Sequence, residues 1–183
     1  MYSSEKRYHP YIIIAHWLTL VLLIAVYALV ELKGFFPKGS DPREAMKTWH
    51  FMLGMWVWLI VLARLWLHYA AKTPPITPAP PAWQMSLARF FQLLLYAFLL
   101  VMPVLGYLVL SAKGSTIPFF GLELPAIISA DKELASSLKE IHETLGKVGY
   151  FIIGFHAFAA IYHHHFMKDN TLERMLPSTK DDD

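Results

Sequence analysis

Four stretches of this chain are long and apolar enough to demand a bilayer. A hydrocarbon core about 30 Å thick is crossed by about 20 apolar residues in a helix. The runs Tyr11–Leu32, Lys47–Tyr69, Leu87–Ser111 and Ile141–Met167 each meet that requirement. Hydrophobic residues fill 56% of the 183 positions, more than a soluble domain of this size needs. Backbone groups in lipid must be satisfied within the segment, so each run is predicted to be a helix. The predicted fold is all-α, an integral membrane four-helix bundle forming one domain over residues 1–183. The span number is even, which puts both termini on one side. The run from Tyr11 to Val30 has no small-residue cleavage site and reads as a span, not a removed leader.

The connections carry little chemistry. "KGFFPKGSDPRE" is a Gly/Pro turn region, and "KTPPITPAPPAW" is too rich in proline for a helix and reads as an extended linker. Within Ala112–Glu140, "DKELASSLKE" is predicted to be a short separate amphipathic helix at the interface. The tail "STKDDD" reads as disordered. A net charge of +2 leaves no nucleic-acid footprint. With no cysteine, thiolate zinc sites, iron–sulfur clusters and the c-type haem attachment are all excluded. Lysine and arginine divide eight and eight between the two sides, so charge does not orient the bundle.

Histidines are the unusual feature. The last span, "IHETLGKVGYFIIGFHAFAAIYHHH", holds five. His142 and His156 are 14 residues apart, about 21 Å along the axis and only about 40° short of four full turns, so they share a face. Adjacent spans run antiparallel. His50, near the start of the second span, then matches the depth of His142. His16, near the start of the first, matches His156. Two pairs are predicted, His50 with His142 and His16 with His156, stacked across the membrane. Facing imidazoles in a bundle core supply the two axial bonds of a haem iron. Gly146 and Gly149 fall near the His142 direction and Gly54 near that of His50, where a porphyrin would need close backbone. Taken singly, a histidine near a span end is usually an interfacial side chain, and a membrane glycine usually serves helix packing. Four rings matched in depth, side and face favour the haem reading.

Other ionisable groups sort by position. Arg64 lies 14 residues after His50 on the same face, where it could pair with a haem propionate or snorkel to the interface. Arg89 has the same two readings, with snorkelling favoured. His163 stays on the interior face, while His164 and His165 turn away. His9 reads as a solvent residue and His68 as an interfacial one. A separate metal cluster among these is not demanded by their spacing.

The segments "IAHWLTLVLLIAVYALVELKGFFPK", "HETLGKVGYFIIGFHAFAAIYHHHF" and "KDNTLERMLP" resemble the bacterial cytochrome b561 family over nearly the whole chain. The resemblance implies a four-helix, multi-pass protein of the bacterial inner membrane with cytoplasmic termini and two b haems. It carries iron-ligand roles onto His16, His50, His142 and His156. It further implies electron transfer between a donor and quinone. The arrangement is similar to members that oxidise superoxide to dioxygen on the periplasmic side and reduce ubiquinone, and His163 corresponds to a position beside the quinone. The chain departs from the pattern in two places. Arg89 and Gln92 stand where many relatives have histidines early in the third span, so that span supplies no ligand. Ala79 stands where a relative has a lysine in the proline linker, so a quinone contact made by that lysine must be made differently here.

The expected activity is therefore that of a superoxide:ubiquinone oxidoreductase, with Lys38, Arg43, Lys47 and Lys113 drawing in the anionic radical. The rival expectation is a passive cytochrome b subunit serving a separate dehydrogenase or reductase. A third, a haem-free metal transporter, would have no visible absorption.

Overall fold

The computed structural model describes residues 7–177, so the acidic tail and the first six residues lie outside the described residues. Four long helices dominate: α1 (Pro10–Leu32), α2 (Asp41–Ala70), α3 (Ala82–Ala112) and α4 (Lys132–Tyr162). All four are long and apolar enough to cross a membrane. Each begins at a recognisable signal. His9 caps α1 by accepting from the Tyr11 amide, with Pro10 in the first turn. Pro42 opens α2 beside Asp41 and Glu44, acids that suit a helix N-terminus. Asp131 caps α4 by accepting from the amides of Glu133 and Leu134.

That last cap corrects one expectation. "DKELASSLKE" is not a separate interfacial helix but the first turns of α4, which starts nine residues ahead of the predicted Ile141. The segment is polar, so hydropathy hides it, yet nothing in it stops a helix. α2 and α3 likewise begin ahead of their apolar runs, at Asp41 and Ala82.

Lipid replaces a large buried core. Phe151, Leu93 and Trp66 are among many large apolar side chains facing outward, which costs nothing in a hydrocarbon solvent. The interior is narrow. Val57, Val61 and Leu99 pack with Leu22, Leu23 and Val26 near mid-bundle, and Phe51 and Met52 pack with Ile117 toward the start of α2. Ile117 belongs to a feature the sequence reading missed, the hairpin β1 (Ile117–Phe119) and β2 (Leu122–Leu124). Its turn is Phe120-Gly121, both at positive φ (47° and 85°), as tight hairpins require. The Phe120 ring is held edge-on by Trp49 and Trp56.

At the end of the bundle that carries the termini, the chain closes on itself. After α4 a π-helical turn, His163–Met167, leads to Lys168 in the left-handed region. The following segment grips the proline linker. Asn170 and Thr77 exchange two hydrogen bonds, and the Arg174 guanidinium donates to the Pro74 carbonyl. The linker forms no helix, as predicted, and it is fastened.

Candidate functional site

The pairings follow from helix direction. His50 and His142 each lie in the first third of their helices, α2 and α4, and their ring centroids are 6.2 Å apart. His16 is near the start of α1 and His156 near the end of α4, and their centroids are 6.1 Å apart. A metal–imidazole bond is about 2.0–2.1 Å and a ring nitrogen lies about 1.1 Å from its ring centre, so two imidazoles on opposite sides of one metal hold centroids about 6.3 Å apart. Both pairs have that spacing. It is too long for a direct ring–ring hydrogen bond and leaves room for one metal ion.

The upper pair, at the end where α2 and α4 begin, borders a cavity of about 880 Å³, within the usual size of a cofactor pocket (roughly 300–1,000 Å³). Nδ1 of His50 lies 2.9 Å from the Val26 carbonyl. A carbonyl only accepts, so Nδ1 carries the proton and Nε2 keeps a free lone pair, the arrangement a metal ligand needs. Nδ1 of His142 is buried, with the Met102 backbone as its polar neighbour. Gly54 and Gly146 line the cavity, and an added Cβ would meet nothing within 4 Å at Gly54 and only Met102, at 3.7 Å, at Gly146. Gly149 does not share that role. A Cβ there would strike Phe98 and Tyr27 at 2.3 Å, so this glycine exists for helix packing and not as a porphyrin cradle. Gly106 was not singled out in the sequence; its missing side chain makes room for the His142 ring.

The cavity mouth is cationic. Lys38, Arg43, Lys47 and Lys113 line it, as does Lys33, with Lys139 and Lys147 on α4; Glu31, Glu44 and Glu143 are the acids among the described lining residues. Excess positive charge at a narrow mouth raises the local concentration of a small anion.

The lower pair is built differently. Arg64 reaches from α2 and places Nη2 3.0 Å from Nδ1 of His16 and Nη1 3.3 Å from Oγ1 of Thr19. A guanidinium only donates, so this Nδ1 accepts and the neutral ring holds its proton on Nε2. Ligation through Nε2 requires Arg64 to let go. The alternative of snorkelling does not apply to Arg64, which is directed inward. Arg89 is exposed. His68 has aromatic neighbours. It stands edge-on to Tyr8 and Tyr96, at centroid distances of 5.5 and 6.5 Å.

His163 is tied to a partner the sequence gave no reason to choose. Its Nδ1 lies 2.6 Å from Oδ2 of Asp169, whose side chain is 3% exposed. Asp169 also accepts from the Thr171 amide. Burial works to raise the Asp169 carboxyl, but the hydrogen bonds from His163 and Thr171 outweigh it and hold the group below the ordinary carboxylate value. The left-handed turn at Lys168 swings Asp169 back under the ring, a reversal that periodicity does not reveal. Among the described residues no group of three or more His, Asp or Glu has the geometry of a metal site, and His164 and His165 stay apart from the paired rings.

The sequence profile of prokaryotic cytochrome b561 matches residues 7–178. The chain belongs to the prokaryotic cytochrome b561 family. Cytochrome b561 homolog 1 of Escherichia coli (strain K12) is 38% identical over 175 residues, covering 96% of this chain and 99% of that protein. A Yersinia pestis protein named probable superoxide oxidase CybB is 37% identical over 176 residues, with the same coverage. Cytochrome b561 homolog 2 of E. coli is 27% identical over 188 residues, 98% of this chain and 96% of its own. Membership of the cytochrome b561 family makes this a multi-pass bacterial membrane protein of electron transfer that binds haem b.

Proposed function

We propose that the chain is a single-domain dihaem oxidoreductase of the inner membrane, taking electrons from superoxide on the periplasmic side and delivering them to ubiquinone. The observation that carries the reading is the pair of facing imidazole couples, each at metal-bridging spacing, at opposite ends of α4. His50 with His142, and His16 with His156, would hold the two irons. When bound, two b haems supply one-electron carriers at two depths of the bilayer. Likeness to the probable superoxide oxidase favours superoxide as donor, and so does the cationic mouth on the side of the upper pair.

The remaining work falls to the protein. Two superoxide ions yield two dioxygen molecules and two electrons; one quinone takes those electrons and two protons to become quinol. The lysine rim gathers the anion. At the other end, which this reading makes cytoplasmic, His163 donates its Nδ1 proton to the Asp169 carboxylate and keeps Nε2 free to exchange a proton with quinone. Arg64 would hold a haem carboxylate.

The test begins with the visible spectrum and the haem-to-protein ratio of purified protein. A superoxide source should then reduce the bound haem and, with a soluble ubiquinone present, turn over to quinol. A ratio of two is expected. A ratio of one breaks one of the pairs. Haem that superoxide does not reduce returns the protein to the role of passive carrier for a separate enzyme.

A further inference from the structure

The donors near the lower pair lack an anionic acceptor. Nε of Arg64 and the hydroxyl of Tyr96 are both buried, and neither meets an acceptor beyond the other side chain of this pair. The guanidinium lies 5.7 Å from the centre of the Tyr96 ring, so the two belong to one pocket. Nη2 is spent on a neutral acceptor, the His16 ring nitrogen. Thr19 is 2% exposed and directs its own hydroxyl proton to the Ala15 carbonyl at 2.6 Å, which leaves its oxygen to steady Nη1.

Among the described residues no carboxylate pairs with Arg64. A cation inside a membrane span without an anion is costly. The deficit has a definite chemistry. The site offers donors and one positive charge, and it lacks an anion that only accepts. A planar carboxylate answers to that, because its two oxygens can take Nε and Nη of one guanidinium together. A phosphate headgroup would stay at the bilayer surface, whereas Arg64 and Tyr96 point inward beside His16.

We propose that Arg64, Tyr96 and Thr19 form a preformed intramembrane clamp for one carboxylate of the lower haem. The inference rests on the dihaem reading and deepens it. Arg64 supplies the fork, Tyr96 the second donor, and Thr19 sets the guanidinium plane. Seating the carboxylate gives Nη2 a better acceptor than His16, so filling the clamp and vacating the His16 nitrogen are one rearrangement. The clamp also holds a positive charge beside one haem, which favours its reduced state and separates the potentials of the two sites.

The experiment is an optical redox titration of the holoprotein, with the haem-to-protein ratio measured on each variant. Arg64→Met should weaken the preference of one haem for the reduced state about tenfold, a fall of about 59 mV for a one-electron couple, and leave the other unchanged. Tyr96→Phe removes a single oxygen and should lower the same midpoint by less. Arg64→Lys keeps the charge and should restore part of the loss. Arg89→Gln removes an exposed charge from the same side and should move neither midpoint. If Arg64→Met does not accumulate, Tyr96→Phe alone decides. Two haems with both midpoints unmoved in Tyr96→Phe and Arg64→Met overturn the clamp while leaving the dihaem reading intact. A parent protein with fewer than two haems overturns that reading instead.

Discussion

Gly149 offers the most direct test of the packing. It sits seven residues from His142 and seven from His156, midway between the two rings that α4 contributes. A Cβ at this position would lie 2.3 Å from Cζ of Phe98 and 2.3 Å from the Tyr27 hydroxyl, and 2.9 Å from Cε2 of Phe98. Ordinary carbon contacts are about 3.5–4.0 Å, so the neighbours must retreat by more than about 1 Å. Tyr27 cannot do so without giving up its 2.9 Å bond to the Gly146 carbonyl, worth about 1 kcal/mol. Overpacking strain adds about 1–3 kcal/mol. Replacing glycine in a helix returns up to about 1 kcal/mol. Gly149→Ala should therefore destabilise the bundle by about 1–3 kcal/mol and lower the haem absorbance per protein. Thermal unfolding in detergent, followed by tryptophan fluorescence and haem absorbance together, measures both. Gly154→Ala is the matched comparison, because nothing lies within 4 Å of a Cβ there; it should be neutral or slightly stabilising. If Gly149→Ala melts with Gly154→Ala and stays fully pigmented, the account of α4 packing fails.

Three other outcomes test separate parts of the molecule. His142→Ala should cut the haem-to-protein ratio from two to one while keeping a helical circular dichroism spectrum; an unchanged ratio refutes the upper pair. The depressed Asp169 carboxyl contributes stability that is complete above the ordinary carboxylate value and is lost as pH falls through its folded value. Acid should thus loosen the parent more than Asp169→Asn, and parallel acid profiles for the two proteins refute the assignment. Arg174 is buried, donates to the Pro74 carbonyl and lies 5.4 Å from the Tyr8 ring centre. Arg174→Ala should cost about 1.5–3 kcal/mol locally and expose residues 71–81 to limited proteolysis; resistance equal to the parent refutes the tether.

The spans were legible because bilayer thickness sets a length that the apolar runs satisfy on their own. The pairing of rings was legible too, since 14 residues nearly close four turns and antiparallel neighbours fix depth. Where polar residues continue a helix, the signal fails. Lys132–Glu140 reads as amphipathic but too polar to belong to a span, and its continuity with the apolar run beyond it does not show in hydropathy. Contacts made by chain reversal were equally hidden. Asp169 reaches His163 through a left-handed residue at Lys168, and Phe120 takes a positive φ that its type rarely adopts. Gly149 was misread because helical arithmetic gives direction but not what stands opposite. The bond from Arg64 to His16 depends on rotamers, which no spacing specifies.

One feature of the architecture governs how the protein is made. Each of the two imidazole couples takes one ring from α4, the last helix to be synthesised. Three inserted spans hold His16 and His50 but no complete couple. On the proposed ligand set, haem has no complete site until α4 is in place, and a chain truncated before Lys132 is expected to enter the membrane colourless. The final segment also ties down the proline linker and the start of α1. The act that completes the couples is the same act that latches the bundle shut.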